Sequence, residues 1–283
     1  MLFRSLILIF LLPLGLGKDS IFKNLTSSSS TEYFAADQIS VRESTSELQV
    51  SVGSRLFVFG KAKGTLDKVK VGMHVLPFSQ APGVQGNEST FSKVAWKKLK
   101  NGSIQIQSSY KPWPATLTWT VLASGQLMLE ASSTATSNFV ANGWLGLGFD
   151  YPDYQLNQIS WEGNQPQSSR AHGVWKNENY MPFGHSEPPV EQKQNVFFQP
   201  IQSVKLEFES VTVDVRAESP GIFFGMRNAE SQDSNFPEIN SDLGFLLDLT
   251  GNRAVFLPQA PSEVNLKSKS DSLNPLVLWF HFQ

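Results

Sequence analysis

A chain of 283 residues with a formal charge of −2 and 17% charged residues is long enough for a large core. It carries no basic excess, which gives nucleic acid no electrostatic footing. No cysteine is present, so disulfides, a thiolate nucleophile, cysteine-ligated metals and a lipoprotein anchor are excluded.

The first 17 residues read as a secretory signal. Arg4 supplies the positive end, Ser5 to Leu16 form an apolar run broken at Pro13, and Gly15-Leu16-Gly17 offers a small-x-small cleavage site before Lys18. The run falls short of the ~20 apolar residues of a membrane span. An uncleaved N-terminal anchor is the alternative, and either reading places the globular part in the periplasm or outside the cell. Residues 18–39, with Ser27-Ser28-Ser29-Ser30-Thr31, read as a Ser-rich spacer. Residues 40–283 are expected to form one domain.

From there the chain reads as strands and turns. Leu48, Val50 and Val52 alternate with polar residues, and Leu56-Phe57-Val58-Phe59 is a short buried-type run. Gly60 and Gly64 connect to Leu66–Val71, and Ile104 and Ile106 alternate after Asn101-Gly102. Leu117, Trp119 and Val121 lead through Ser124-Gly125 to Leu127 and Leu129, a hairpin signature. Val204, Leu206 and Phe208 alternate with charged residues, and Val211, Val213 and Val215 continue in the opposite phase, which predicts a bulge or tight turn near Ser210. The segment Leu276–Phe282 reads as a closing strand, with Trp279 as a core residue. No segment keeps a helical period, so neither a bundle nor a βα barrel is expected, and short, regularly spaced strands predict an all-β sandwich. Residues 150–200, rich in Asn, Gln, Pro and aromatics, show weak strand periodicity and read as a long irregular stretch where a site would lie.

Four carboxylates fall in or beside that stretch, Asp150, Asp153, Glu162 and Glu178, and glycoside hydrolysis needs two at a fixed separation. Their spacing singles out no pair, so they read as solvated loop charges and no catalytic residue is assigned. The histidines, His74, His172, His185 and His281, include no i, i+4 pair, which excludes a zinc helix motif. His172 and His185 as an acid/base or metal pair stands beside the plainer reading of hydrogen-bonded loop histidines; no metal or cofactor is assigned. Gly143-Trp144-Leu145-Gly146-Leu147-Gly148 lacks the lysine and following helix of a phosphate loop, and reads as a strand whose glycines admit a neighbouring backbone or ring. Sugar recognition needs flat aromatic faces with planar donors and acceptors around them. Trp161, Glu162, Arg170, His172, Trp175 and Tyr180, with Asn164 and Gln165 between them, supply both and are the candidate carbohydrate-binding residues.

The order of these features resembles a known family. Ile159-Ser160-Trp161-Glu162-Gly163-Asn164-Gln165-Pro166, then Arg170 and Gly173-Val174-Trp175, is similar to the Trp-x-Gly-x-Gly-Pro block of the β-galactosidase small chain, the C-terminal domain of glycoside hydrolase family 2 enzymes. Phe57-Val58-Phe59 with Gly64-Thr65-Leu66 resembles that domain's opening, Trp119 to Leu129 its central hairpin, and Met181-Pro182-Phe183 its later aromatic-proline segment. The resemblance spans about residues 40–283 and implies a large antiparallel supersandwich of the galactose mutarotase type. It further implies a domain that completes the sugar site of a glycoside hydrolase whose catalytic glutamates lie in a separate barrel. The expected partners are a galactoside-like carbohydrate and a barrel-containing large chain. The alternatives are a stand-alone periplasmic or extracellular carbohydrate-binding protein and a mutarotase-like enzyme using His172 or His185.

Overall fold

In the computed structural model, the residues described are 38–81, 89–111, 113–132, 144–163, 172–177, 198–219, 221–226, 239–248 and 275–283. The expected signal over residues 1–17 and nearly all of the spacer lie outside them. The described part is all-β, with large antiparallel sheets, as the alternation predicts. A single turn of 3-10 helix, Asp153–Gln155, is the one helical element among the described residues, and no helix there is long and apolar enough to cross a membrane.

Five strands, β1 (Ser40–Glu43), β2 (Glu47–Val52), β3 (Arg55–Gly60), β4 (Thr65–Val71) and β5 (His74–Leu76), pair in sequence order as one antiparallel sheet. The expected alternation holds in β2, where Leu48, Val50 and Val52 are buried. A register shift between Val58 and Phe59 lets β3 bury Phe57, Val58 and Phe59 in a row.

The second sheet has 13 strands among the described residues. They are β6 (Ser79–Ala81), β7 (Thr90–Lys98), β8 (Ile104–Lys111), β9 (Thr116–Val121), β10 (Leu127–Ser132), β11 (Trp144–Asp150), β12 (Leu156–Gly163), β13 (His172–Lys176), β14 (Phe198–Phe208), β15 (Thr212–Ala217), β16 (Ile222–Met226), β17 (Leu243–Asp248) and β18 (Leu276–Phe282). Their order is β6-β11-β17-β16-β14-β15-β18-β10-β9-β8-β7, with β12 paired to β14 and β13 to β12. Strand β14 joins two halves: Phe198 to Pro200 pair with β16, while Ser203 to Glu207 pair with β15 and Ile201 to Phe208 with β12. The tight turn predicted near Ser210 closes β14 onto β15, with the Phe208 N–H donating to the Val211 carbonyl over 2.9 Å. The β9–β10 hairpin also forms as expected, with Gly125 at φ 78° supplying its turn.

A strand buries the apolar face of its sheet by packing it against another layer. Here the wide half, β13-β12-β14-β15-β18-β10-β9-β8-β7, turns its apolar face toward both the five-stranded sheet and the β6-β11-β17-β16 half. Ring contacts mark the junction. Phe57 and Phe59 of the small sheet meet Phe282 and Trp119 at centroid distances of 6.0 and 6.1 Å. Phe149 of β11 lies 5.3 Å from Phe280, and Phe78 stacks on Phe149 at 5.3 Å while also meeting Phe280 and Phe282. Phe280, 1% exposed, links the two sides: it touches Phe149 and Phe245 of the β6-β11-β17-β16 half, and also Trp119 and Phe282, the rings that meet the small sheet. Residues Ala36–Gln283 cluster as one unit.

The stretch 150–200 is more ordered than its sequence predicts. Its described part contains β12, β13 and the start of β14. A bulge between Leu156 and Gln158 explains the weak periodicity: the buried residues of β12 are Leu156, Ile159 and Trp161, so one interval is three residues instead of two.

Candidate functional site

Side chains alternate across a strand, and this divides the predicted site. Trp161 points into the core and is 8% exposed, whereas Glu162 stands on the opposite, outer face of the sheet. The inward turn of Trp161 has a local cause. Its register partner in β13 is Gly173, and a Cβ there would sit 1.8 Å from Trp161 Cζ2, so the indole occupies the space a side chain would take. Trp175, opposite Ile159, is half-buried and packs against the same core. His172 lies opposite Glu162 in the register. Arg170 and Tyr180 lie outside the described residues, as do Asn164, Gln165 and His185. The structure therefore places Trp161 and Trp175 on the face of the sheet opposite Glu162.

Two of the acidic residues have backbone roles. Asp150 Oδ1 accepts the Asp242 N–H at 3.2 Å, and Asp242 Oδ2 accepts the Tyr151 N–H at 3.0 Å, tying the end of β11 to the start of β17. The glycine strand behaves as expected: at Gly146 a Cβ would lie 2.5 Å from the Phe245 carbonyl oxygen, and the Gly146 carbonyl accepts the Trp113 indole N–H at 3.0 Å.

A concave surface lies elsewhere among the described residues, on the outer face of the wide sheet. A depression of about 540 Å³ opens over β15 and β18, with Trp279 on its floor and Asp214, Arg216, Glu218, His281 and Gln126 around it. This corrects the core role expected for Trp279. In β18 the residues Leu276, Leu278, Phe280 and Phe282 are buried, so period two turns Val277, Trp279 and His281 outward. Its indole N–H donates to the Glu218 carboxylate, which fixes the ring in place. Arg216 is its direct partner in the β15–β18 register, is exposed, and makes no hydrogen bond or ion pair among the described residues. Gln283 donates through Nε2 to Asp214 Oδ2 at 3.0 Å.

His281 is held from two sides. Its Nδ1 is 2.9 Å from the Gln283 amide nitrogen, and its Nε2 is 3.3 Å from Arg55 Nη2, while Arg55 Nε donates to the Phe282 carbonyl at 2.6 Å. Both neighbours are nitrogen donors and a neutral imidazole has one acceptor nitrogen, so the ring accepts from one of them at a time, and the tautomer decides which. Partial burial, then the Arg55 charge, lowers the His281 pKa below its usual value, against a weaker opposing pull from Asp214.

Chemically, the depression offers an aromatic floor, one planar donor without a partner among the described residues, carboxylate acceptors and an amide. No residue in it is set up as a nucleophile beside a base, and no cluster of three or more metal-ligating side chains occurs among the described residues. The signal for Trp279 and Arg216 was present in sequence as strict alternation in β15 and β18, but the pairing that joins positions 216 and 279 was not. The fold and this surface define an all-β sandwich with an aromatic-floored polar recess. No protein-family model matches the sequence, and no curated protein is significantly similar to it.

Proposed function

We propose that this chain is an exported carbohydrate-binding domain, not catalytic alone, that serves a glycoside hydrolase in the manner of the β-galactosidase small chain. The observation that carries the reading is the recess at Trp279. A pyranose presents an apolar face and a rim of hydroxyls, each of which both donates and accepts. An indole floor with donors and acceptors of mixed charge suits that neutral ligand better than an anion or an apolar one. The order of sequence features along residues 40–283 supports the small-chain assignment, and with it a barrel-bearing large chain as partner.

The test uses the full chain. Titration with neutral galactosides and galacto-oligosaccharides, followed by calorimetry and tryptophan fluorescence, is expected to saturate. Trp279→Ala should abolish that binding while leaving the melting temperature within about 3 °C, as an exposed-face change does. The chain alone should not turn over a chromogenic galactoside. Failure of every sugar in the panel to bind would remove the proposal.

A further inference from the structure

The recess at Trp279 is one end of a longer row. Reading the strand registers across the outer face, Glu162 of β12 lies opposite Ser203 of β14, Ser203 opposite Arg216 of β15, and Arg216 opposite Trp279 of β18. All four are on the same face. Their neighbours Trp161, Val204, Val215 and Phe280 are buried on the other, and the Ser203 hydroxyl reaches Glu162 Oε2 at 3.4 Å. Residues drawn from four strands therefore stand in line at right angles to the strands.

Resting on the carbohydrate reading above, we infer that this row binds a linear glycan of about three or more hexose residues, lying across the strands from Trp279 to Glu162. Three strand steps of about 4.8 Å set the row at roughly 14 Å. That step is close to the rise per residue of an extended hexose chain, so successive sugars meet successive strands. The chemistry along the row changes in the order such a ligand requires. Trp279 supplies the stacking face, Arg216 a fork of donors beside it, and Ser203 and Glu162 a hydroxyl and a carboxylate beyond. The opposite direction offers less: Trp279 is next paired with Met128, and Met128 with Thr120, which is 7% exposed. The glycan accordingly runs toward β12.

Calorimetry of the full chain against a mono-, di-, tri- and tetrasaccharide series of one β-linked galactan tests the row. Affinity should rise by about three- to tenfold per residue up to the third, the factor one or two hydrogen bonds supply, and then level off. Glu162→Ala and Ser203→Ala should weaken the trisaccharide several-fold and leave the monosaccharide unchanged. Glu130→Gln, on the same face but off the row, should change neither. A monosaccharide that binds as tightly as the trisaccharide, or a trisaccharide indifferent to Glu162→Ala, overturns the row and leaves the sugar-binding reading standing. Absence of binding by any member overturns both. Circular dichroism melts of each variant separate lost binding from lost fold.

Discussion

Gly173→Ala tests whether the β12–β13 ribbon is built around the Trp161 indole. Gly173 lies in extended strand backbone, so its conformation makes no demand for glycine. The demand is steric: a Cβ would approach Trp161 Cζ2, Cη2 and Cε2 at 1.8, 2.2 and 2.5 Å. Ordinary carbon contacts of about 3.5 Å require the ring to retreat by roughly 1.7 Å. Trp161 is 8% exposed and belongs to the core cluster, so that retreat opens packing on its far side. Overpacking of this kind costs about 1–3 kcal/mol. For a unit of this size that lowers the melting temperature by roughly 2–12 °C. The assay is urea unfolding followed by fluorescence, run as a double-mutant cycle with Trp161→Leu. Trp161→Leu alone should be destabilising, because it leaves a cavity. In that background Gly173→Ala should cost at most a few tenths of a kcal/mol, or stabilise slightly by restricting the unfolded chain. Additive costs in the cycle would refute the steric account, and so would a Gly173→Ala variant as stable as the parent.

Other changes have equally definite outcomes. Phe280→Ala should destabilise by about 3–5 kcal/mol in urea unfolding, because this ring touches Trp119, Phe78, Phe149, Phe245 and Phe282, and a smaller loss would mean that this ring cluster is not the centre of the core. Gln80→Met should stabilise by about 1–2 kcal/mol, since the Gln80 carboxamide is 4% exposed and neither of its polar atoms has a hydrogen-bond partner among the described residues. His281, with its folded pKa lowered, contributes stability that is complete above the unfolded value of about 6.5 and is lost as pH falls through the lower folded value. His281→Gln should flatten that part of the melting-temperature profile, and an unchanged profile would place the titration elsewhere. Asp67 has the opposite sign: burial raises its pKa, so its penalty grows as pH rises through the folded value, and Asp67→Asn should relieve it at neutral pH while keeping an acceptor for Thr65.

What could be read in advance followed from where one face of a strand is dry and the other wet. Strands β2, β8, β9, β10 and β18 sit in that situation, and their period-two signal survives intact. Strand β7 gave no signal because it is a sheet edge, exposed along most of its length and carrying Lys93, Lys97 and Lys98. Strands β16 and β17 are buried on both faces, which turns alternation into short apolar runs with no phase. The bulge in β12 broke the period where it mattered most, at the segment holding Trp161 and Glu162.

The misreading of Trp279 shows why the candidate site was less legible than the fold. Leu-Val-Leu-Trp-Phe-His-Phe is apolar enough to pass for a strand buried on both faces, and composition alone puts its tryptophan in the core. The decision lies with what covers the second face, and among the described residues no strand layer is placed there. Once β15 and β18 are paired, Arg216 and Trp279 become neighbours although 62 positions separate them in sequence (279 minus 216, less one). Ser203 and Glu162 join them through two further pairings. Residue type told which side chains can grip a sugar, and it favoured those that happen to be consecutive. Consecutive residues on a strand face opposite ways, so a surface across a sheet must be assembled from one residue per strand. Under the proposed carbohydrate reading, that rule shifts the contact from the Trp161–Tyr180 segment to a row that shares only Glu162 with it.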